Sequence, residues 1–230
     1  MIEVARQTYP DRDTLMNGLA ALVADQLRAA HATKGRATLA VPGGTTPAPF
    51  LTALSEADLA WEDVAVLATD ERLVPETSER SNTRLIRRTL LQNAAARAQI
   101  LHLHAAAAGI DLVLDAAAER VERVLPIDVL VLGMGADMHT ASLFPGAPEL
   151  AAALAPDAPP LVLLHPPAQP EARLTLTAPV LRSADVIHIL ITGRDKADAL
   201  ESALVEGPVA EAPIRAVLTA PCPVTVHYAD

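Results

Sequence analysis

Short aliphatic runs alternate along the chain with longer stretches in which apolar residues recur every three or four positions. The runs Thr38–Val41, Val64–Ala68, Ile127–Leu132, Leu161–Leu164 and Val186–Thr192 predict strands. They are nearly continuous rather than alternating, as strands covered on both faces are. Leu15, Leu19, Leu22, Val23 and Leu27 predict a first helix, with Asp11 or Asp13 placed to cap its start. Leu85, Ile86, Leu90 and Leu91 predict another over Thr83–Leu91, behind Ser81 as its cap. Ile110, Leu114, Val121 and Val124 mark a third, Asp195–Val205 reads as a fourth, and Pro213 opens a short last one at Ile214–Ala220. Strand, helix, strand at these lengths predicts one α/β domain over residues 1–230, with a mostly parallel sheet between helices. The prolines between 145 and 170 predict irregular excursions around a single short strand. No internal repeat is visible; Ala94–Ala98 and Ala105–Ala108 are low-complexity runs.

Composition narrows the function. Aromatic residues make up only 2% of the 230, so the core must be mostly Ala, Leu, Val and Ile. The formal net charge of −10 is the wrong sign for a general nucleic-acid binder. The densest basic cluster, Arg80, Arg84, Arg87 and Arg88, has helical spacing and no interleaved aromatics. The single cysteine, Cys222, excludes an intrachain disulfide framework and has no His or acid beside it. No apolar run approaches the ~20 residues of a membrane span, and no basic, then apolar, leader follows Met1. The expectation is a cytoplasmic protein with no membrane or nucleic-acid partner.

Four segments could carry chemistry. In Val41-Pro42-Gly43-Gly44-Thr45-Thr46-Pro47 a strand ends in two glycines before a helix. Glycines allow close backbone approach, and a helix N-terminus attracts anions, so this segment suits a phosphate; it would equally make a plain tight turn. It is neither a Walker loop nor a dinucleotide fingerprint. Asp70, Glu71 and Arg72 follow the Val64–Ala68 run, where the carboxyl ends of parallel strands line a ligand crevice. They could instead form a structural ion pair or cap the next segment, and Ser81-Asn82 reads first as a helix cap. In Gly133-Met134-Gly135-Ala136-Asp137-Met138-His139 a strand runs into glycines, then an acid and a histidine two residues apart. His139 could be a general base with Asp137 orienting it, or merely tie the loop down. Two ligands without an evident third are poor for a metal, and no Gly-x-Ser-x-Gly elbow is present. Arg173 and Lys196 are good phosphate ligands by type, although each alone also reads as a solvated surface charge.

Taken together, Gly43-Gly44-Thr45-Thr46-Pro47, Asp70-Glu71-Arg72, Ser81-Asn82, the stretch Gly133–Pro145, Arg173-Leu174-Thr175-Leu176-Thr177 and Gly193-Arg194-Asp195-Lys196-Ala197 resemble the 6-phosphogluconolactonases of the glucosamine-6-phosphate isomerase/6-phosphogluconolactonase family. The resemblance implies a three-layer α/β/α sandwich with a Rossmann-like sheet. It implies hydrolysis of a sugar phosphate lactone, with no metal or organic cofactor, by a monomer or homodimer. By match of motif, His139 is the catalytic histidine and Asp137 its acid. Gly43, Gly44 and Thr45 form the phosphate-side loop, and Arg72, Arg173 and Lys196 are the basic positions, the last two nearest the phosphate. Asp70, Glu71 and Asn82 are supporting candidates. The related deaminases carry a glutamate five residues after the histidine, where this chain has Phe144. A non-catalytic sugar-phosphate binder is the other alternative. The family usually has glycine at the Met138 position; an ordinary φ there leaves methionine harmless, a positive one strains it.

Overall fold

A computed structural model describes residues 1–103, 110–167 and 169–230. The chain opens with strand β1 (Ala5–Thr8) and helix α1 (Arg12–Lys34), then β2 (Ala37–Val41), α2 (Ala48–Ser55), β3 (Val64–Ala68), β4 (Asp70–Arg72) and α3 (Asn82–Thr89). It continues through β5 (Gln99–Leu101), α4 (Ile110–Glu122), β6 (Val129–Gly133), α5 (Leu150–Leu154), β7 (Leu161–Leu164) and β8 (Arg173–Leu176). It closes with α6 (Ala178–Arg182), β9 (Val186–Thr192), α7 (Arg194–Leu204), α8 (Ile214–Leu218) and β10 (Val224–Ala229). The Ala105–Ala108 run lies outside the described residues.

The main sheet has seven strands in the order β1-β10-β9-β6-β2-β3-β5, and every neighbouring pair is parallel. All of β2 and the first four residues of β6 are buried, which requires helices over both faces. This is the expected α/β arrangement. The edge strands explain what the hydrophobic pattern leaves out. All four residues of β1 are exposed, and β5 buries none fully, so neither shows an apolar run.

α1 packs across β2, β6 and β10. Leu15, Leu19, Val23 and Leu27 form its buried stripe at four-residue spacing, joined by Met16, Ala20 and Ala24. Leu22, expected in that stripe, is instead 37% exposed, because it lies at the outer margin of the buried face. Of the two possible caps, Asp11 is the one used: its carboxylate accepts from Thr14 N at 2.7 Å. Gly35 ends the helix in the left-handed region, φ 70°, where it returns its N–H to His31 O.

Two expectations are corrected. Leu161–Leu164 is a strand, but it does not join the parallel sheet. It forms β7 of a small antiparallel sheet, β4-β8-β7, in which Asp70 pairs with Thr175 and Arg72 with Arg173. The proline-rich stretch around it is not wholly irregular either, since α5 forms there, burying Leu150 and Ala153.

The chain path creates one switch point. From β2 it moves outward through α2 to β3 and β5, then returns to β6 on the other side of β2 and proceeds to β9 and β10. The loops after β2 and β6 therefore diverge at the carboxyl edge and open a crevice between them, the place where open parallel sheets bind ligands.

Candidate active site

A cavity of about 240 Å³ occupies that crevice. It is walled by the Pro42–Pro47 loop after β2, by Asp70 and Arg72 of β4, by Asn82 and Arg173, by Gly133–Gly135 and His139 after β6, and by Thr192 and Lys196 at the β9–α7 junction. Five segments far apart in sequence thus meet at one point. Among the proposed site residues, Glu71 and Asp137 stand behind this wall rather than in it.

His139 sits in a loop folded back on β6. Gly135 N donates to His139 O at 2.9 Å, Met138 N to Gly135 O at 3.0 Å, and Thr140 Oγ1 to Gly133 O at 2.9 Å. The His139 Nδ1 atom lies 2.5 Å from Asp137 Oδ1. With the carboxylate accepting, Nδ1 carries the proton and Nε2 presents its lone pair. The side chain is 28% exposed, so water can reach it. The imidazole bond holds the Asp137 carboxyl below the usual carboxylate range. Gly135 is required here: a Cβ on it would lie 2.1 Å from His139 Nδ1 and 2.2 Å from Asp137 Oδ1. Phe144 stacks on the imidazole, with ring centroids 4.0 Å apart. Met138 adopts φ 63°, so the ordinary φ that would leave methionine harmless is not found. The loop holds this left-handed turn through the Met138 N–H bond to Gly135 and through Ile214 N, which donates to Met138 O at 3.1 Å.

Asp70 is the hub of the opposite wall. It is buried, yet accepts from Ser142 Oγ at 2.5 Å and from Asn82 Nδ2 at 3.3 Å, and its carboxylate lies 3.7 Å from Arg173. Its backbone carbonyl also takes Asn82 Nδ2 at 2.7 Å. Arg173 is 5% exposed rather than a solvated surface charge. Burial pushes its guanidinium down from its usual value, and Asp70 opposes that shift. It also donates to Gln169 Oε1 at 2.8 Å. Gly43 matters for the same wall, since a Cβ there would meet Asn82 Oδ1 at 1.9 Å.

Glu71 does something different from its neighbours. It is 2% exposed and points away from the cavity into the start of α3. Oε1 accepts from Arg72 N and Asn82 N, at 2.8 and 2.7 Å; Oε2 accepts from Thr83 N and Ser81 Oγ, at 2.7 and 3.1 Å. Its carboxyl group caps a helix N-terminus with all four of these donors on its two oxygens, the capping alternative rather than a place on the cavity wall. Ser81 completes that cap by accepting from Arg84 N at 3.1 Å.

The cavity is electropositive inside an acidic protein. Arg72, Arg173 and Lys196 line it against the single carboxylate of Asp70. The N–H groups of Gly43, Gly44, Thr45 and Thr46 donate to no protein acceptor among the described residues. α2 and α7 both begin at this edge, and a helix N-terminus favours an anion. By contrast, Arg80, Arg84, Arg87 and Arg88 are paired with Glu171, Glu79 and Glu76 on the surface. Among the described residues no group of three or more His, Cys, Asp or Glu could hold a metal ion.

Ser142, Thr175 and Phe144 are absent from the residues singled out as functional by sequence, yet Ser142 and Thr175 fasten the two walls together: Ser142 N donates to Thr175 Oγ1 at 3.1 Å. The alternation in Arg173-Leu174-Thr175-Leu176 was the available signal for a strand there.

The chain is similar in sequence and in fold to known proteins. A 6-phosphogluconolactonase from Mesorhizobium japonicum is 47% identical, covering 96% of this chain and 93% of that one. Another from Pseudomonas aeruginosa is 44% identical, covering 98% and 94%. The crystal structure of a 6-phosphogluconolactonase from Shewanella baltica superposes with a TM-score of 0.96 over the whole of both chains, at 36% identity. The family described as glucosamine-6-phosphate isomerases/6-phosphogluconolactonase matches residues 10–226, a span that takes in every wall of the cavity. A fold, a switch-point cleft and a sequence match that all coincide over the same residues leave one assignment: the chain belongs to the glucosamine-6-phosphate isomerase/6-phosphogluconolactonase family.

Proposed function

We infer that the protein is a hydrolase that opens 6-phospho-D-glucono-1,5-lactone to 6-phospho-D-gluconate, the second step of the oxidative pentose phosphate pathway, in the cytoplasm. The observation that carries this reading is the Asp137–His139 pair with Nε2 free at the edge of a cationic cavity. Arg173, Lys196 and the Gly43–Thr45 loop hold the 6-phosphate. His139 Nε2 takes a proton from water as that water attacks C1. Asp137 keeps the proton on Nδ1 and stabilises the imidazolium that forms. Negative charge moves to the carbonyl oxygen, where Arg72 or a free N–H of the glycine loop receives it. Gly135 N–H is already engaged by His139 O and is not that donor. Collapse of the tetrahedral intermediate breaks the bond from C1 to the ring oxygen, and the imidazolium returns its proton to that oxygen.

Deamination of glucosamine 6-phosphate has less support. The residue against the histidine ring is Phe144, which has no carboxylate to offer. The test is acid release from fresh phosphorylated and unphosphorylated lactones, read against spontaneous hydrolysis, beside an ammonia assay on glucosamine 6-phosphate. Acceleration of the phosphorylated lactone and no ammonia are expected. A lactone rate at the spontaneous baseline would leave a sugar-phosphate-binding module as the better reading.

A further inference from the structure

His139 is fixed through one nitrogen only. A single hydrogen bond at Nδ1 sets the distance to Asp137 but leaves the imidazole free to tilt about that bond, which would swing Nε2 across the cavity. Phe144 removes that freedom. Its ring lies 4.0 Å from the imidazole centroid with 23° between the planes, a near-parallel face rather than an edge. Aromatic pairs hold such offset arrangements by dispersion and quadrupole together.

Phe144 is itself immobilised. It is 7% exposed, and the two residues before it are pinned: Ser142 by Asp70 and Thr175, Leu143 by the carbonyl of Thr140 at 2.9 Å. The Arg173 guanidinium sits over the same ring, 5.8 Å from its centroid. The ring cannot yield when the imidazole presses on it, and it denies water that side of the histidine.

We propose that Phe144 is a positioning residue for the lactone hydrolysis inferred above: its flat face locks the tilt of His139, so that Nε2 stays aimed at the attacking water. It touches His139 and Arg173 but donates and accepts nothing. Removing the flat face should therefore slow the chemical step while leaving substrate capture in place.

The experiment compares Phe144→Leu and Phe144→Met, which keep apolar bulk, with Phe144→Tyr, which keeps the ring. For each, kcat and KM are measured on the phosphorylated lactone, with the affinity for 6-phosphogluconate and the circular dichroism of the same preparation. The expected result is a kcat roughly 10–100-fold lower for the Leu and Met variants, the scale that small misplacements cost. KM and product affinity should stay within about threefold, and Phe144→Tyr should keep most of the wild-type kcat. Having two bulk-keeping variants guards against one that does not fold. A folded Leu or Met variant with more than about a third of wild-type kcat would overturn the proposal. So would losses confined to KM and product affinity, which would place the effect at Arg173, and so would a folded Tyr variant as slow as the Leu one. A wild-type rate at the spontaneous baseline is a different failure, that of the lactonase reading itself.

Discussion

His139 Nδ1 and Asp137 Oδ1 lie 2.5 Å apart across a single turn of loop, and this contact assigns the two ring nitrogens different work. Nδ1 is committed to the carboxylate, so the proposed proton transfer runs through Nε2. Replacing His139 with Gln or Ala should leave a folded protein that still binds 6-phosphogluconate, because the proposed phosphate ligands do not include this ring. Activity should fall roughly 10²–10⁴-fold, the usual contribution of a general base. Asp137→Asn should cost less in the same direction, since an amide oxygen can still accept from Nδ1 but does not stabilise the imidazolium. Circular dichroism, product binding and the lactone assay on one preparation separate the cases. A folded His139 variant keeping about a third of wild-type activity or more would send the search for the base to Asp70.

Arg173, proposed above as a phosphate ligand, is also paired with the buried Asp70. Arg173→Ala removes a cation from the cavity and strips Asp70 of its counter-charge, although Ser142 and Asn82 still bond that carboxylate. KM for the phosphorylated lactone should rise more than kcat falls. An unphosphorylated lactone should be affected much less. Unfolding free energy should drop by up to about 3 kcal/mol, toward the lower end for breaking a buried pair. Equal kinetic losses on both lactones would mean Arg173 serves the fold alone.

Glu71 gives the converse prediction. Its carboxylate takes four donors at the start of α3 and faces away from the cavity, so Glu71→Gln should lower stability by about 1–3 kcal/mol through unsatisfied buried N–H groups. Below the melting temperature kcat should stay close to wild type. Denaturant unfolding and the lactone assay together test this; a folded variant with a kcat more than about tenfold lower would restore Glu71 to the chemistry.

Acid sensitivity has a separate source. Tyr9 O–H, His227, His188 and Gln26 form a buried chain of hydrogen bonds, at 3.0, 2.9 and 2.7 Å, in which each histidine donates through Nε2 and accepts at Nδ1. Burial lowers His188 from 6.5 to about 3, helped by His227, and burial lowers His227 to about 4. The unfolded chain takes up these protons as pH falls below 6.5, and the folded chain refuses them until about 4 and 3. Between those limits the unfolded state binds more protons, so stability rises with pH. Each histidine adds a slope of about 1.4 kcal/mol per pH unit in that window. Unfolding free energies at about pH 7 and pH 5 should therefore differ by less in the double variant His188→Leu, His227→Phe than in wild type. An unchanged difference would assign the acid sensitivity to other groups.

The sequence by itself determined the buried strands, the long helices and the residue types of the site. β2, β3, β6 and β9 were legible because burial on both faces demands unbroken apolar runs, and α1 because its buried face repeats every four residues. The Asp137–His139 pair was legible because both members sit in one loop. Tertiary structure decided the rest. β1 and β4 carry polar residues, and what makes them strands is their pairing with β10 and β8, which a single segment does not encode. Asp70, Glu71 and Arg72 are adjacent in sequence and alike in charge density. Yet the strand period sends Asp70 and Arg72 to the cavity and Glu71 to the start of α3, because successive side chains on a strand point to opposite faces. Arg173 reads as a surface cation until the antiparallel β4–β8 register sets it beside Asp70. Met138 shows the same limit: its positive φ is fixed by the Gly135 carbonyl on one side and Ile214 N–H on the other, and the second of these comes from 76 residues further along the chain.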